Sequence, residues 1–458
     1  MTTVIACAAE SSLTDVWGAS WTGRRVAVVG LGRSGVAALT LLRQAGCEVR
    51  ATDSRRGSQV ESVRQRLHQQ GVERLEIGGH SKRFLDGAEL VVVSPGVPES
   101  SLPIQWALHQ AVPLLSEIEL AFSFCRSPII AVTGTNGKST AVTLLAQVLQ
   151  AAGRAAVACG NLGLPFSSVL DRLTPRTIAV VEVSSFQLLL CTRFRPKISV
   201  LLNIGTNHLD RHDDPDAYLA AKARMFQCQT PEDWAVLNAA DSRIVALANH
   251  LHARLVWFGA ARANPPTLAL ADQTLRSLTP GAQAVLQVAR LLNVPDPLTW
   301  QVIRAFKGLE HRLEPVTTIR GVRWINDSKS TTPDSLLYAL AQTRGDVVVI
   351  IGGRDKGLEF STLIEALHDS RVKGIVLIGE SRSRLRPLFN GSTIVRESPT
   401  LDEAIQVALD LAPPGSTVLF SPACASFDMF SDFEERGRVF KHLVQTLKGA
   451  PRALCPTR

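Results

Sequence analysis

The sequence predicts an α/β protein that is built from three domains with largely parallel sheets. Short apolar runs alternate with longer amphipathic runs almost throughout the 458 residues, as expected when strands alternate with helices. The strand-like runs end repeatedly at Gly, Ser, Asn or Asp. Doubly wound sheets bind ligands at that place, beyond the carboxyl ends of their strands. We therefore expect ligand sites at these strand ends.

The strand-like runs fall into three blocks, which we expect to be domains at residues 1–116, 117–308 and 309–458. The first block contains RRVAVVG, CEVRATD and AELVVVSPGVP. The second block contains SPIIAVTG, RTIAVVEVSS, KISVLLNIG and DWAVLN. The third block contains VRWINDS, DVVVIIGGRDKG, VKGIVLIGE and STVLFSPACAS. Three domains agree with the length, since a domain has about 100–200 residues.

Composition and charge predict a cytoplasmic protein that binds neither nucleic acid nor membrane. The net charge is +8, but no block of five or six Lys or Arg residues is present. Scattered cations suit anionic small substrates equally well. The eight cysteines form no C-x-x-C pair and are typical of reduced, mostly buried thiols. The N-terminal residues do not resemble a signal peptide, and no apolar stretch reaches the roughly 18 residues of a membrane span.

A glycine-rich turn follows the first strand-like run. Gly30, Gly32 and Gly35 open a helix-like run, and Asp53 ends the next strand-like run, 18 residues after Gly35. This spacing is nearly that of a dinucleotide fingerprint, in which the glycines allow a tight turn and a phosphate binds at the helix N-terminus. Taken alone, the turn indicates a nicotinamide-dependent oxidoreductase. Whether that interpretation holds depends on the rest of the chain.

A second phosphate loop is the strongest signal in the sequence. The segment IIAVTGTNGKST consists of an apolar run, a glycine turn and the start of a helix at Lys138. Backbone N–H groups of such a loop cradle a triphosphate, the lysine neutralises phosphate charge and a hydroxyl binds Mg²⁺. Val132 stands where the strict motif has its first glycine. An ordinary strand-to-helix turn is the weaker alternative.

Other polar residues at strand ends have both a functional and a structural interpretation. Glu182 ends an apolar strand, where a carboxylate is costly without a cation, and Mg²⁺ would provide one. His208 lies in NHLDRHDD, and Lys222 follows on a helix. Taken singly, the glutamate could be exposed, the histidine structural and the lysine solvated. The third block offers further candidate residues, several of them cations and hydroxyls that suit carboxylates and phosphates, at Arg312, Asn326, Asp327, Ser328, Lys329, Thr331, Lys356, Ser426, Phe433 and Arg436. Taken singly, each could be a capping or turn residue.

At this point the chain resembles the Mur ligases, over roughly residues 24–445. The segments GTNGKST and EHR are shared by the wider family. The segments GLGRSG, VVVSPGVP, SSFQL, NHLDRH, NDSKST and SPACASFDMFSDFEERG are more discriminating. The Ser-Lys-Thr turn resembles that of the members that add D-glutamate. The resemblance implies a Rossmann-like first domain, a central ATPase-like domain with a phosphate loop, and a Rossmann-like third domain.

The resemblance also implies roles for individual residues. ATP would be bound by Gly134, Thr135, Asn136, Gly137, Lys138, Ser139, Thr140, Arg312, Asn326, Asp327 and Lys329. The UDP-sugar would be bound by Gly30, Leu31, Gly32, Arg33, Ser34, Gly35, Asp53, Ser54, Ser94, Pro95, Gly96 and Asn161. D-glutamate would be bound by Thr331, Lys356, Ser426 and Phe433. Two Mg²⁺ ions would be held by Ser139, Glu182, His208 and Lys222, with Lys222 converted by CO₂ to a carbamate. The residues closest to catalysis would be Lys138, Glu182, His208 and Lys222.

The implied reaction is an ATP-dependent ligation in the synthesis of bacterial cell-wall precursors. The carboxylate of UDP-N-acetylmuramoyl-L-alanine would attack the γ-phosphate of ATP, and D-glutamate would then attack the acyl phosphate. We expect a monomer. The chain departs from the family at LRSLTPGAQAVLQVARLLNV, which lacks the usual H-N-x-x-N segment near the adenine. A sibling ligase, a nucleotide-binding homologue without turnover, and a nicotinamide oxidoreductase are the alternatives.

Overall fold

The computed structural model describes residues 20–161, 163–205, 214–259, 278–355, 357–389 and 394–449. It divides into two compact units, Met1–Phe306 and Lys307–Arg458. The first unit contains two sheets and the second contains one, with helices between the strands, so the predicted α/β fold class is confirmed. Among the described residues, no helix has both the length and the apolar character needed to cross a membrane.

The N-terminal sheet is parallel and is buried on both faces. Its strands are β1 (Arg25–Val29), β2 (Glu48–Asp53), β3 (Arg74–Ile77), β4 (Leu90–Val93) and β5 (Leu114–Ser116). They are arranged in the order β3-β2-β1-β4-β5. The accompanying helices are α1 (Arg33–Gln44), α2 (Ser58–Gln69) and α3 (Leu102–His109). Along β1, Val26 and Val28 pack into one core cluster while Ala27 and Val29 pack into another. Coverage of both faces explains the nearly continuous apolar strands.

The central sheet places the second phosphate loop in its middle. Its strands are β6 (Ile129–Thr133), β7 (Ala156–Gly160), β8 (Ile178–Glu182), β9 (Ile198–Leu201), β10 (Trp234–Asn238) and β11 (Arg254–Phe258). They run parallel in the order β11-β10-β9-β6-β8-β7. The carboxyl ends of β8 and β9 therefore flank the loop that follows β6.

Helices cover the central sheet and complete the first unit. They are α4 (Glu117–Phe124), α5 (Lys138–Ala151), α6 (Ser185–Leu189), α7 (Pro215–Ala223), α8 (Ser242–Ala248), α9 (Pro280–Leu291) and α10 (Asp296–Ala305). A 3₁₀ helix over Phe166–Arg172 packs against α1 and α4. Apolar residues of α5 and α9 share one core cluster with alternate residues of β6.

The sheet of the second unit is parallel apart from one edge hairpin. Its strands are β12 (Glu314–Ile319), β13 (Val322–Asn326), β14 (Val347–Gly352), β15 (Val372–Ile378), β16 (Val395–Glu397) and β17 (Thr417–Phe420). Their order is β12-β13-β17-β14-β15-β16, and β12 pairs antiparallel with β13. The helices are α11 (Pro333–Gln342), α12 (Leu363–Leu367), α13 (Arg382–Leu385), α14 (Leu401–Leu411) and α15 (Phe433–Gly449). The carboxyl ends of β13, β17 and β14 are neighbours.

The strands predicted from the sequence are all present, and the ones that were not predicted share one property. Each unpredicted strand in the described chain lies at the edge of a sheet. These strands are β3, β5, β7, β11, β12 and β16.

Candidate active site

A cavity of about 440 Å³ lies beyond the carboxyl ends of β1, β2 and β4. Most of the residues predicted to bind the UDP-sugar line it, namely Gly30, Gly32, Arg33, Ser34, Asp53, Ser54, Ser94, Pro95, Gly96 and Asn161. Six further residues that were not predicted also line it, namely Val29, Arg55, His80, Val97, Pro98 and Ser101. Leu31 and Gly35 do not line the cavity but hold the turn that does.

The turn after β1 is fixed by close backbone packing. A Cβ atom at Gly35 would overlap the carbonyl oxygen of Gly30, so only glycine allows this approach. The hydroxyl of Ser94 donates a 2.8 Å hydrogen bond to the same carbonyl. The N–H of Leu31 donates to Oδ2 of Asp53 at 2.7 Å. The turn is thereby tied to the ends of both neighbouring strands.

Asp53 organises a guanidinium at the mouth of this cavity. Its carboxylate accepts hydrogen bonds from the Arg55 N–H at 2.8 Å and from Nη2 of Arg55 at 2.7 Å. Burial raises the pKa of the Asp53 carboxyl, but the hydrogen bonds from Arg55 and Leu31 outweigh it and hold the pKa below its ordinary value. Nearby, Nδ1 of His80 lies 2.7 Å from the hydroxyl of Thr52. The carboxylate that a dinucleotide fingerprint would offer to a ribose is here engaged by the protein itself.

The backbone of the phosphate loop after β6 is fixed by hydrogen bonds to an asparagine that follows the neighbouring strand β9. Oδ1 of Asn203 accepts from the N–H groups of Thr135 at 3.1 Å and Asn136 at 2.9 Å. Gly137 adopts φ +83°, and α5 begins at Lys138 and continues through Ser139 and Thr140. The Lys138 ammonium donates to the carbonyl oxygens of Gly134 and Thr135 at 2.8 and 2.9 Å. The loop therefore has the glycine turn, lysine and helix N-terminus that bind phosphates.

Glu182 is buried beside this loop, with 2% of its surface exposed. Its Oε1 atom accepts a 2.9 Å hydrogen bond from the side-chain amide of Asn161. Its Oε2 atom is buried and has no hydrogen-bond partner among the described residues. An exposed glutamate, the structural alternative, is therefore ruled out. A buried carboxylate oxygen without a donor is costly unless a cation or a ligand binds it.

Lys222 is also buried, with 1% of its surface exposed, so it is not a solvated lysine. Its Nζ atom donates to the carbonyl oxygen of Gly134 at 3.0 Å and lies 4.4 Å from the centre of the Tyr218 ring. Burial and the Lys138 ammonium lower the pKa of Lys222 well below its usual range, against the opposing effect of Glu182. The neutral amine is thereby favoured. His208, predicted for the same centre, lies outside the described residues.

These residues fit a divalent cation through their oxygen atoms. In the described part of the chain, no three His, Cys, Asp or Glu side chains form a metal cluster on their own. Two of the residues predicted to hold Mg²⁺ are a histidine and a glutamate, and of these two the structure describes Glu182. Its unpartnered Oε2 and the hydroxyl of Ser139 at the start of α5 are oxygen ligands of the kind that Mg²⁺ prefers.

In the second unit, Asn326 and Asp327 at the end of β13 are buried, and their side chains form hydrogen bonds within the protein. The amide of Asn326 contacts Nδ1 of His311 at 2.9 Å and Oε2 of Glu314 at 3.0 Å. Asp327 accepts hydrogen bonds from the Ser421 hydroxyl at 2.8 Å and the Leu313 N–H at 3.1 Å. Burial raises the pKa of Asp327 to about 6 although the hydrogen bond from Ser421 opposes the shift.

The other predicted residues of this unit that the structure describes lie just before β12, after β13, after β17 and at the start of α15. The Lys329 ammonium lies 5.9 Å from the centre of the Phe433 ring, and the Arg312 guanidinium lies 5.6 Å from that of Tyr338. Thr331 is half-buried and Ser426 is buried. Lys356 lies outside the described residues.

Comparison with known proteins decides the family. The UDP-N-acetylmuramoylalanine--D-glutamate ligase of Chlorobium limicola is 38% identical over 463 residues, covering 93% of this chain and 98% of that protein. The enzyme of the same name from Koribacter versatilis is 36% identical over 446 residues, with 93% and 98% covered. This chain belongs to the Mur ligase family.

Family models match each part of this Mur ligase. They are the Mur ligase MurD-like N-terminal domain at residues 24–116, the Mur ligase middle domain at 132–285 and the Mur ligase glutamate ligase domain at 311–424. The fold is similar to that of the Thermotoga maritima MurF ligase solved with ADP, with a TM-score of 0.56, 16% identity, and 93% of this chain and 99% of that chain covered. The UDP-N-acetylmuramate-alanine ligase of the same organism gives a TM-score of 0.55, 18% identity, and 93% and 100% coverage.

Sequence reasoning missed several residues that support the sites of this Mur ligase. Arg55 is engaged by Asp53, and its signal was its position two residues after that carboxylate. Asn203 anchors the phosphate loop from the end of β9, in the run LLNIG. Ser421 bonds Asp327 from the end of β17. The contacts of Asn203 and Ser421 join residues that are distant in sequence, so motifs do not contain them.

Proposed function

We propose that this Mur ligase joins D-glutamate to UDP-N-acetylmuramoyl-L-alanine, with ATP as the second substrate, in the synthesis of peptidoglycan precursors. One observation carries the proposal: the buried Glu182 links the two phosphate-binding regions of the first unit. Asn161 lines the cavity at the first glycine turn and also bonds the Glu182 carboxylate beside the second loop. The names of the D-glutamate ligases to which the chain is 36–38% identical support the choice of amino acid.

We assign the three activities of the reaction to three domains, at residues 1–116, 117–308 and 309–458. The first binds the UDP-sugar in the cavity beyond β1, β2 and β4, where the glycine turn takes the diphosphate. The second binds ATP at the loop after β6. The third recognises D-glutamate through Thr331, Lys356, Ser426 and Phe433. The three sheets and the three family models support this division.

The reaction that we propose has two steps. A carboxylate oxygen of UDP-N-acetylmuramoyl-L-alanine attacks the γ-phosphorus of ATP, and ADP leaves. The uncharged amine of D-glutamate then attacks the acyl carbon, the new amide bond forms, and inorganic phosphate leaves with loss of one proton from the nitrogen. Lys138 faces the transferring phosphoryl group and stabilises its charge, and the N–H groups of the loop hold the phosphates.

We propose that Ser139, Glu182, His208 and a carbamylated Lys222 hold two Mg²⁺ ions. The unpartnered Oε2 of Glu182 supports one ligand position. The lowered pKa of Lys222 supports the carbamate, because the neutral amine is the form that adds CO₂ with release of a proton. Bound Mg²⁺ would offset negative charge on the phosphates. We also propose that the protein acts in the cytoplasm, and as a monomer, because one chain supplies all of these residues.

Phosphate release across a panel of amino acids tests the proposal. We expect release that needs ATP, UDP-N-acetylmuramoyl-L-alanine and D-glutamate together. Release with a different amino acid in place of D-glutamate would make the chain a sibling ligase. Tight binding of ATP without release for any amino acid would contradict ligase activity.

A further inference from the structure

Arg436 is a buried guanidinium that the proposed reaction leaves without a role. It lies on α15 with 1% of its surface exposed. Among the described residues, it makes no ion pair with a carboxylate. Burial lowers its pKa to about 10, so the side chain is still a cation at neutral pH. An isolated buried charge is expensive, so its retention calls for partners or a function.

The partners of Arg436 are neutral groups at two different strand ends. Its Nη1 donates to the carbonyl oxygen of Cys424 at 2.9 Å. Its Nη2 donates to the carbonyl oxygen of Ser328 at 2.7 Å, and Nε donates to the Ser328 hydroxyl at 3.0 Å. Cys424 belongs to the loop after β17, and Ser328 belongs to the turn after β13. One side chain therefore fastens both loops.

The same guanidinium reaches the other segments of the amino-acid site. The Ser328 hydroxyl that it contacts donates a 2.8 Å hydrogen bond to the carbonyl oxygen of Phe433. A Cβ atom at Gly353, after β14, would lie 3.3 Å from Nη1 of Arg436. Gly353 is three residues before Lys356 in the sequence. Arg436 thus lies where the segments that carry Thr331, Ser426 and Phe433 meet, and it also lies close to Gly353.

We propose that Arg436 is a positioning residue that sets the amino-acid specificity of this site. Its fork of N–H groups fixes the loops of Ser328 and Cys424 relative to each other. Its charge forms no ion pair among the described residues, although the carboxylates of Asp428 and Asp327 interact with it at longer range, and this charge favours an amino acid with two carboxylates over one with a neutral side chain. This inference rests on the proposed function, and it concerns the substrate class of the same site.

The fork and the charge can be separated by substitution. Arg436→Lys keeps the charge but loses the planar set of donors, and Arg436→Gln keeps a donor but loses the charge. Arg438→Gln is the matched control, because Arg438 is exposed on the same helix. Ser328→Ala removes one partner of Arg436 and leaves the charge in place. The KM values for D-glutamate, ATP and UDP-N-acetylmuramoyl-L-alanine are measured for each variant, with the thermal unfolding transition.

We expect Arg436→Gln to raise the KM for D-glutamate by about tenfold or more, since a charge-assisted interaction is worth about that factor. The KM for the UDP-sugar stays within about twofold. The KM for ATP rises by less than the KM for D-glutamate, and it rises at all because the turn of Ser328 also carries Asp327 and Lys329, which have implied roles in ATP binding. Arg436→Lys and Ser328→Ala give smaller increases of the same kind, and Arg438→Gln gives none. Arg436→Gln also lowers the preference for D-glutamate over D-glutamine as substrate.

Other results would overturn the inference. An unchanged KM for D-glutamate in Arg436→Gln would do so, as would equal changes in all three KM values. If both Arg436 variants fail to fold, the residue serves the stability of the core, and the proposed role in amino-acid specificity is contradicted. If the wild-type protein shows no turnover with D-glutamate, the proposed function itself is contradicted. This result is distinct from a failure of the inference on Arg436, which requires an active wild-type protein and shows only in the variants.

Discussion

The side-chain amide of Asn161 donates a 2.9 Å hydrogen bond to Oε1 of Glu182, and the Asn161 N–H donates to the Glu182 main-chain oxygen at 2.9 Å. Asn161 also lines the cavity at the glycine turn after β1. The same residue thus touches the proposed UDP-sugar site and the buried carboxylate proposed to hold Mg²⁺. Binding of a ligand at one site should therefore change the affinity of the other site for its own ligand.

Asn161→Ala tests this connection. Loss of a hydrogen bond to a charged group costs about 1.5–3 kcal/mol, so we expect the KM for the UDP-sugar and the Mg²⁺ concentration for half-maximal activity each to rise about tenfold or more. Calorimetric titration of the UDP-sugar with and without Mg²⁺ measures the coupling directly. Asn249→Ala, at an exposed asparagine, is the control. A change in the UDP-sugar affinity that is independent of Mg²⁺ would show that the two sites are not linked.

Lys222→Ala tests the carbamate. If the carbamate holds a metal ion, the variant should lose about a hundredfold in kcat or more, since disturbed metal ligation has effects of this size. Short carboxylic acids added to the assay should restore part of the activity by replacing the missing oxygens. Lys197→Ala, at an exposed lysine of the same unit, should keep its activity. Turnover at the wild-type rate in Lys222→Ala would mean that no carbamate is needed.

Asp53→Asn tests the organisation of the first cavity. The substitution replaces one of the oxygens that hold Leu31 and Arg55, so the glycine turn loses its anchor. We expect the KM for the UDP-sugar to rise about tenfold with kcat nearly unchanged. This pattern is typical of a substitution that weakens binding of the ground state and of the transition state equally. Steady-state kinetics measure both constants, and Asp171→Asn, at an exposed position, is the control. A fall in kcat without a change in KM would contradict the assignment.

Glu117→Gln tests a buried acid in the first unit. Glu117 is fully buried at the start of α4, and its Oε1 accepts hydrogen bonds from the Ser167 N–H and hydroxyl at 2.6 and 2.5 Å. Burial raises the pKa of Glu117 to about 7 from an ordinary value of 4.5, although the Ser167 hydrogen bonds oppose the shift. Between these values the unfolded chain has released the proton that the folded protein keeps. The free energy of unfolding therefore falls as the pH rises through this window.

The Glu117 contribution to that fall is on the order of 3 kcal/mol in the wild-type protein. It should be absent in Glu117→Gln, which has no proton to lose. Urea unfolding of both proteins between pH 4.5 and 8 measures the difference in slope. Glu73→Gln, at an exposed glutamate, should follow the wild type. Parallel pH dependence in the wild type and Glu117→Gln would show that Glu117 titrates normally.

The sequence predicted the interior strands of every sheet and none of the edge strands. Interior strands such as VVVIIG of β14 are buried at every residue, so their apolar runs are plain. The edge strands RLEI of β3 and VRE of β16 pair on one side and carry exposed charges, which is how proteins protect a sheet edge. The same charges remove the apolar pattern by which a strand is recognised.

The candidate site was predictable to the extent that its residues lie in continuous motifs. The phosphate loop could be identified from its own sequence. The burial of Glu182 and Lys222 could not, because it depends on which strands become neighbours of β6. The roles in ATP binding implied for Arg312, Asn326, Asp327 and Lys329 stay predictions.

The position of β6 in the central sheet also affects how the protein is made. β6 is followed in the chain by β7, yet it pairs with β8 and β9. The phosphate loop therefore cannot acquire its anchor at Asn203 until the ribosome has released the chain beyond β9. Closing such long loops has an entropic cost before any contact repays it, and parallel pairing of this kind is slow. Nascent chains that end before β9 can pair β6 with β8 alone, so the other edge of this apolar strand stays unpaired until β9 has been made.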